Sequence, residues 1–146
     1  MKSKIVNKVF KGDGGHLRLE IYIDDENAWG HGWAKCYLQT SGEETYLGAE
    51  MVDDLIPRLM LQMTNDVEGE SGAELFGQNA HLVRMLSEAW CGIYVAPSDS
   101  GRVFFFLNAM AEPVHCIGII KVSAQESVTW FDQLQDLLSR DLVLDS

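Results

Sequence analysis

Histidine and cysteine are the side chains in this sequence whose chemistry and spacing could hold a metal ion. His31 and Cys36 stand five residues apart. His115 and Cys116 are adjacent, and neighbouring residues of a strand point to opposite faces, so they are poorly placed to share one ion. No Cys-x-x-Cys or His-x-x-x-His spacing occurs, and residues 25–30 share the acidic start of a calcium loop but not its twelfth-position glutamate. We therefore expect no metal and no cofactor.

Nucleophilic catalysis would need a thiol or hydroxyl held beside a base. The candidates are two cysteines and two histidines: Cys91, Cys116, His81 and His115. No local motif supports any of these pairings, and no Gly-x-Ser-x-Gly occurs. The glycine-rich residues 12–15 precede a strand pattern and lack the lysine and helix of a phosphate loop, so they predict a hairpin turn. All three cysteines fall in apolar segments, which predicts buried, reduced thiols. Because the sequence shows no catalytic signature, we expect that the protein is not an enzyme.

Acidic side chains are placed very unevenly along the chain. Their total is 22 against 11 Lys and Arg, a formal net charge of −11. Residues 1–18 are basic, whereas residues 19–83 hold 13 acids against two bases. The acids in this stretch form three groups: Asp24, Asp25 and Glu26; Glu43 and Glu44; Asp66, Glu68 and Glu70, with Glu74 after them. They are either ordinary solvated residues or, if the groups lie together in space, a negative surface that attracts a basic partner.

A tryptophan-rich segment follows the first acidic group. Trp29 and Trp33 flank the sequence Gly30-His31-Gly32, and glycine on both sides of a histidine indicates a bend or a close backbone approach. Large aromatic residues beside acids are typical of interface hot spots, although both tryptophans could equally pack in the core. We predict that Trp29 and His31 join the three acidic groups in binding a partner.

The strands that must position these residues are visible as period-two alternation or short apolar runs. Six to seven strands are predicted, at residues 5–10, 17–23, 33–39, 45–47, 91–96, 102–110 and 114–122. Residues 17–23 alternate most regularly, as expected for a half-buried strand. Residues 102–110 are continuously apolar at their centre, which predicts a strand covered on both faces. Residues 73–88 fit either a strand or a helix, and the strands downstream favour a strand.

Two amphipathic helices complete the predicted fold. The first has Asp53 as its N-cap, Pro57 near its first turn, and an apolar stripe formed by Leu55, Ile56, Leu59, Met60 and Met63. In the second, Ser123 and Glu126 form a capping box, and the buried face consists of Val128, Phe131, Leu134 and Leu138. The elements predict one α+β domain over residues 1–146, with an antiparallel sheet and both helices packed on one side.

Composition narrows the function classes. Apolar residues make up 47% of the chain and charged residues 23%, as in a folded globular domain. The acidic excess argues against direct binding to nucleic acid or to an anionic membrane surface. Residues 103–110, the longest apolar stretch, are too short for a membrane helix, and no apolar signal-peptide core follows Met1. We therefore expect a cytoplasmic protein.

The order of these elements resembles that of small bacterial immunity proteins, which neutralise polymorphic toxins of the contact-dependent-inhibition type. The matching pieces are Gly15–Asp24 and residues 25–29, 33–63, 91–122 and 123–138. The resemblance implies an acidic inhibitor, monomeric or weakly dimeric, whose partner is a basic toxin domain such as a nuclease. Three alternatives stay open: a DNA-mimicking inhibitor of the phage type, a secretion chaperone or adaptor, and a small enzyme.

Overall fold

The computed structural model describes residues 3–24, 32–64, 73–75, 78–85, 91–98, 101–108 and 115–139. Nine strands and two helices lie within these ranges. In chain order they are β1 (Ser3–Gly12), β2 (Gly15–Asp24), β3 (Trp33–Thr40), β4 (Glu43–Met51), α1 (Val52–Thr64), β5 (Ala73–Leu75), β6 (Gln78–Met85), β7 (Cys91–Ser98), β8 (Gly101–Asn108), β9 (His115–Ser123) and α2 (Ala124–Ser139).

The strands form two antiparallel sheets, so the α+β class is confirmed and the single predicted sheet is wrong. The first sheet has the order β1-β2-β3-β4 and the second the order β5-β6-β7-β8-β9. The first hairpin also touches the second sheet, because Asp13 and Lys121 exchange two main-chain hydrogen bonds of 2.7 and 2.8 Å. Alternation predicts that a segment is a strand, but it carries no information on where one sheet ends and another begins.

Several strands differ in detail from their predictions. Residues 73–75 and 78–85 are strands, which settles the ambiguous stretch as far as the structure describes it. β4 has 9 residues and is much longer than the predicted segment 45–47, with a register shift opposite it between Cys36 and Tyr37. The predicted burial of β8 on both faces is confirmed, since all residues from Val103 to Leu107 are buried.

One large core joins both sheets and both helices. Trp130 of α2 lies at its centre, with its ring 5.5 Å from that of Phe10 in β1 and 5.4 Å from that of Phe104 in β8. The indole Nε1–H donates to the main-chain oxygen of Lys11 at 2.8 Å, so the one polar atom of this side chain is satisfied. Truncating a buried tryptophan of this kind costs about 3–5 kcal/mol.

Helix α1 begins two residues earlier than an N-cap at Asp53 implies. Its first residue, Val52, donates its main-chain N–H to the oxygen of Gly32 at 3.0 Å, so Asp53 lies in the first turn and is not the N-cap. Pro57 is the sixth helical residue and therefore lies deeper than the predicted first turn. The predicted apolar stripe is confirmed, with Leu55, Ile56, Leu59 and Met63 buried and Met60 partly buried.

Helix α2 begins with the predicted capping box. The Ser123 hydroxyl accepts from the Glu126 N–H at 3.1 Å, and the Glu126 carboxylate accepts from the Ser123 N–H at 3.0 Å. The predicted buried face is wrong in part, because Val128 is 61% exposed and Trp130 is buried. Leu134 is buried as predicted, Phe131 is half-buried, and Leu138 falls outside the described side chains. Among the described helices, none is long and apolar enough to cross a membrane.

Candidate protein-binding face

The outer side of the first sheet is built by the alternation of β2 and β3. Leu17, Leu19 and Ile21 point into the core, which leaves the intervening side chains on the opposite side. The β2–β3 register sets Arg18 opposite Tyr37 and Tyr22 opposite Trp33. We call this outer surface the aromatic face, and it comprises Ile5, Arg18, Tyr22, Trp33, Lys35, Tyr37 and Tyr46.

The most exposed part of the aromatic face is the end where β2 stops and β3 begins. Trp33 is 37% exposed, and Ile5, which lies opposite Tyr22, is 56% exposed. The Tyr22 and Trp33 rings stack, with centroids 4.9 Å apart. The ammonium of Lys35 lies 5.3 Å from the Tyr22 ring and 5.9 Å from the Trp33 ring. Stacking and cation–π contacts each contribute about 0.5–1 kcal/mol, so they hold these rings in place before any partner arrives.

Arg18 organises the other half of the aromatic face. Its guanidinium donates to both carboxylate oxygens of Glu44, at 2.8 and 2.9 Å, and to the side-chain oxygen of Asn7 at 2.6 Å. Its Cζ atom also lies 4.2 Å from the ring centre of Tyr37. A bidentate contact fixes the orientation as well as the distance of an ion pair. Arg18, Tyr37 and Glu44, which lie on three neighbouring strands, are therefore held in contact with one another.

The electrostatics of this network follow from its hydrogen bonds. The Arg18 guanidinium lowers the pKa of the Glu44 carboxyl below its usual value. The Tyr22 hydroxyl donates to Glu20, which lowers the pKa of that carboxyl and raises the pKa of Tyr22 to about 12. Both carboxylates are thus ionised at neutral pH, and they balance Arg18 and Lys35. The excess negative charge of the chain must lie outside this face.

The predicted binding residues are distributed unevenly over the structure. Asp24 ends β2, whereas Glu43 and Glu44 begin β4 at the opposite end of the sheet. At about 3.3 Å per residue, the length of β3 separates these two ends by at least about 20 Å. Glu44 is held by Arg18, as described above. The remaining predicted residues lie outside the described ones: Asp25, Glu26, Trp29, His31, Asp66, Glu68 and Glu70.

Sequence reasoning missed the aromatic face as a unit. The signal was present in β3, where Trp33, Lys35 and Tyr37 alternate with buried residues and give the strand apolar character on both sides. Tyr22 and Arg18 carry the same pattern in β2. Only the strand register, which periodicity does not contain, could show that these side chains share one surface.

Other chemistry has less support in the described residues. A cavity of about 260 Å³ lies between β1 and α2, lined by Val9, Lys11, Glu126, Thr129, Trp130 and Gln133. Three of its polar groups serve the fold: Glu126 caps α2, and the side-chain nitrogens of Trp130 and Gln133 donate to main-chain oxygens of β1. In the ranges given above, no three His, Cys, Asp or Glu side chains are grouped as metal ligands.

The thiols follow the prediction in part. Cys36 is buried in the main core, and Cys91 falls outside the described side chains. Cys116 is only half-buried, and its sulfur lies 3.2 Å from the main-chain oxygen of Gly118. Burial raises the pKa of the Cys116 thiol, which disfavours the reactive thiolate.

No protein-family model matches the chain. No curated protein matches it either.

Proposed function

We propose that this chain is an acidic binding protein that neutralises a basic protein partner, with the aromatic face at the centre of the interface. The observation that carries the proposal is the stacked, exposed pair Tyr22 and Trp33 beside the exposed Ile5. Tryptophan, tyrosine and arginine are the residues most enriched among interface hot spots. A rigid sheet that presents them loses little side-chain entropy on binding, which favours affinity.

The charge distribution supports a basic partner. Asp24 lies two residues beyond Tyr22, and the chain continues with Asp25 and Glu26 before it returns at Trp33. The first acidic group therefore adjoins the exposed aromatic pair in sequence, although the second group is at the far end of the sheet. Acidic residues beside a hydrophobic centre steer a basic surface toward it and speed the encounter.

We further propose that the partner is a toxin domain and that the chain is its immunity protein. The support is the resemblance in element order together with the net charge of −11 on a small domain. A toxin that cleaves nucleic acid needs a basic cleft to hold phosphates, and a matched acidic protein can cover that cleft. In this role the chain performs no reaction and acts as a stoichiometric inhibitor in the cytoplasm.

A growth assay tests this proposal. The product of the gene immediately upstream of the one for this chain is expressed from an inducible promoter, with the chain either present or absent. We expect arrested growth without the chain and normal growth with it, while a chain carrying Trp33→Asp gives little rescue. Arrest that the wild-type chain does not relieve, or a neighbouring product without toxicity, would contradict the proposed role.

A further inference from the structure

Strand β1 forms one edge of the first sheet, and its alternating residues differ in where their main-chain groups point. Gly12 pairs with Gly15 across the two-residue turn, and Gly14 in that turn has a φ of 100°, which suits glycine. The pair that flanks such a turn exchanges hydrogen bonds, and hydrogen-bonded pairs alternate along an antiparallel ladder. Even-numbered residues of β1 therefore bond to β2, and odd-numbered residues point their N–H and C=O groups away from it.

This outward edge is covered at the end near the turn. Both main-chain groups of Asp13 bond to Lys121 of β9. The carbonyl of Lys11 accepts from Trp130 Nε1 at 2.8 Å, and the carbonyl of Val9 accepts from Gln133 Nε2 at 3.4 Å. Along β1 from the turn, this edge is thus covered first by β9 and then by α2. All of these bonds involve odd-numbered residues, as the pairing pattern requires.

Within the described part of the chain, this cover ends after Val9, and the outward main-chain groups of Ile5 and Asn7 have no hydrogen-bond partner. The side chains of Ile5 and Asn7 are also exposed, that of Ile5 to 56%. Outward groups of this kind form a template for another strand. We propose that residues 3–7 of β1 accept an extended acidic segment of another protein as an added strand of the first sheet.

The acidic character of the segment follows from the charge of β1. Lys4 lies within residues 3–7, Lys8 directly follows them, and β1 contains no carboxylate. Cross-strand neighbours of opposite charge stabilise a pairing, and like charges oppose it. An incoming strand with carboxylates at alternate positions therefore complements this edge.

The same lysines disfavour a second copy of this chain as the occupant. Antiparallel self-pairing can set Ser3 opposite Ile5, and Lys4 then faces Lys4 of the other copy. If Val6 instead faces Val6, Lys4 faces Lys8. Lysine at an exposed edge is a common protection against self-association. The edge therefore favours pairing with an acidic strand over pairing with a second copy of this chain.

Peptide binding to the full chain tests the proposal. The probe is a short, terminally blocked peptide of alternating Glu and Val, with a Lys–Val peptide and a fully N-methylated Glu–Val peptide as controls. We expect the Glu–Val peptide to bind with a Kd below about 1 mM and both controls to bind at least about tenfold more weakly. The Lys–Val peptide has the wrong charge, and the N-methylated peptide has the same charge but lacks the N–H groups of a ladder.

Hydrogen exchange locates the binding. On addition of the Glu–Val peptide, the amides of Ile5 and Asn7 should exchange at least about tenfold more slowly, with little change at Val6 and Lys8, which already bond to β2. Ile5→Pro should abolish binding and still fold, because its N–H points away from β2. Binding of the N-methylated peptide with equal affinity, no binding of the Glu–Val peptide, or unchanged exchange at Ile5 and Asn7 would each overturn the proposal.

This proposal does not depend on the proposed inhibition of a toxin. Trp33→Ala should leave peptide binding at the edge within about twofold of the wild-type value, because Trp33 lies on β3, two strands from the edge. The peptide assay also contains no toxin domain, so its outcome does not depend on the growth assay. Failure of one proposal can thus be told apart from failure of the other.

Discussion

At the residue scale, the aromatic face depends on contacts between side chains that are distant in sequence. Arg18 and Glu44 are 26 positions apart, and they meet because β2, β3 and β4 pair in one register with a shift after Cys36. Alternation correctly predicts that Leu17 and Leu19 are buried and Arg18 is not. It cannot predict the Arg18–Glu44 pair, because a shift of one position in either pairing would move Glu44 to the other side of the sheet.

The first prediction concerns acid stability. The pKa values of Glu44 and Glu20 are lowered in the folded chain, so folding favours their ionised forms. Their contribution to stability is fully present above the unfolded pKa of about 4.3 and is lost as pH falls through the folded pKa. We expect Glu44→Gln to flatten the decline in the free energy of unfolding below about pH 4.3.

Urea unfolding between neutral and acidic pH measures this effect. Glu43→Gln is the matched control, because Glu43 is exposed and pairs in the strand register with Thr40 across the turn. An unchanged pH profile for Glu44→Gln, or an equal change for both variants, would show that the Arg18–Glu44 contact is not formed in solution.

At the element scale, the sequence predicts where helix α2 begins but not which of its faces is buried. The capping box of α2 needs only Ser123 and Glu126, three residues apart, and it is found as predicted. The rotation of α2 is set by Trp130, which fills the space between Phe10 and Phe104. A helical pattern with several apolar positions allows more than one buried face, and the contacts of the largest side chain decide between them.

The second prediction tests the cap. Ser123→Ala removes the acceptor of the Glu126 N–H, and we expect a loss of about 1 kcal/mol in the free energy of unfolding. Ser123→Asp keeps an acceptor at the positive end of the helix and should stay within about 0.5 kcal/mol of the wild-type value. Denaturant unfolding of the three proteins measures both changes, and equal losses in the two variants would contradict the capping role.

At the scale of the whole molecule, the sequence predicted the class and most of the strands but not their division into two sheets. The α1 helix and the residues around it separate β4 from β5, and no periodicity marks that break. The same topology determines how far apart the first two acidic groups lie. Asp24 and Glu43 lie at opposite ends of the first sheet, so these two groups do not form one continuous acidic patch. The proposed interface therefore includes only the acidic group at the end that carries Tyr22 and Trp33.

The third prediction compares the acidic residues at the two ends of the first sheet. Asp24→Lys and Glu43→Lys are matched charge reversals at the two ends of the sheet. We expect Asp24→Lys to slow association with the toxin domain by about three- to tenfold at low salt and to weaken its salt dependence. Glu43→Lys should change the association rate by less than about twofold. Stopped-flow binding at several ionic strengths measures this, and equal effects at both ends would count against a localised interface.

The aromatic face is tested most directly by the dissociation constant of the complex between this chain and the proposed toxin domain, measured for Trp33→Ala and Val128→Ala. Both residues are exposed and apolar, but Val128 lies on α2, away from the aromatic face. We expect Trp33→Ala to weaken binding by about 30-fold, or about 2 kcal/mol, and Val128→Ala to stay within about twofold. Unchanged affinity for Trp33→Ala, in a variant that folds normally, would contradict the assignment of the aromatic face as the binding surface.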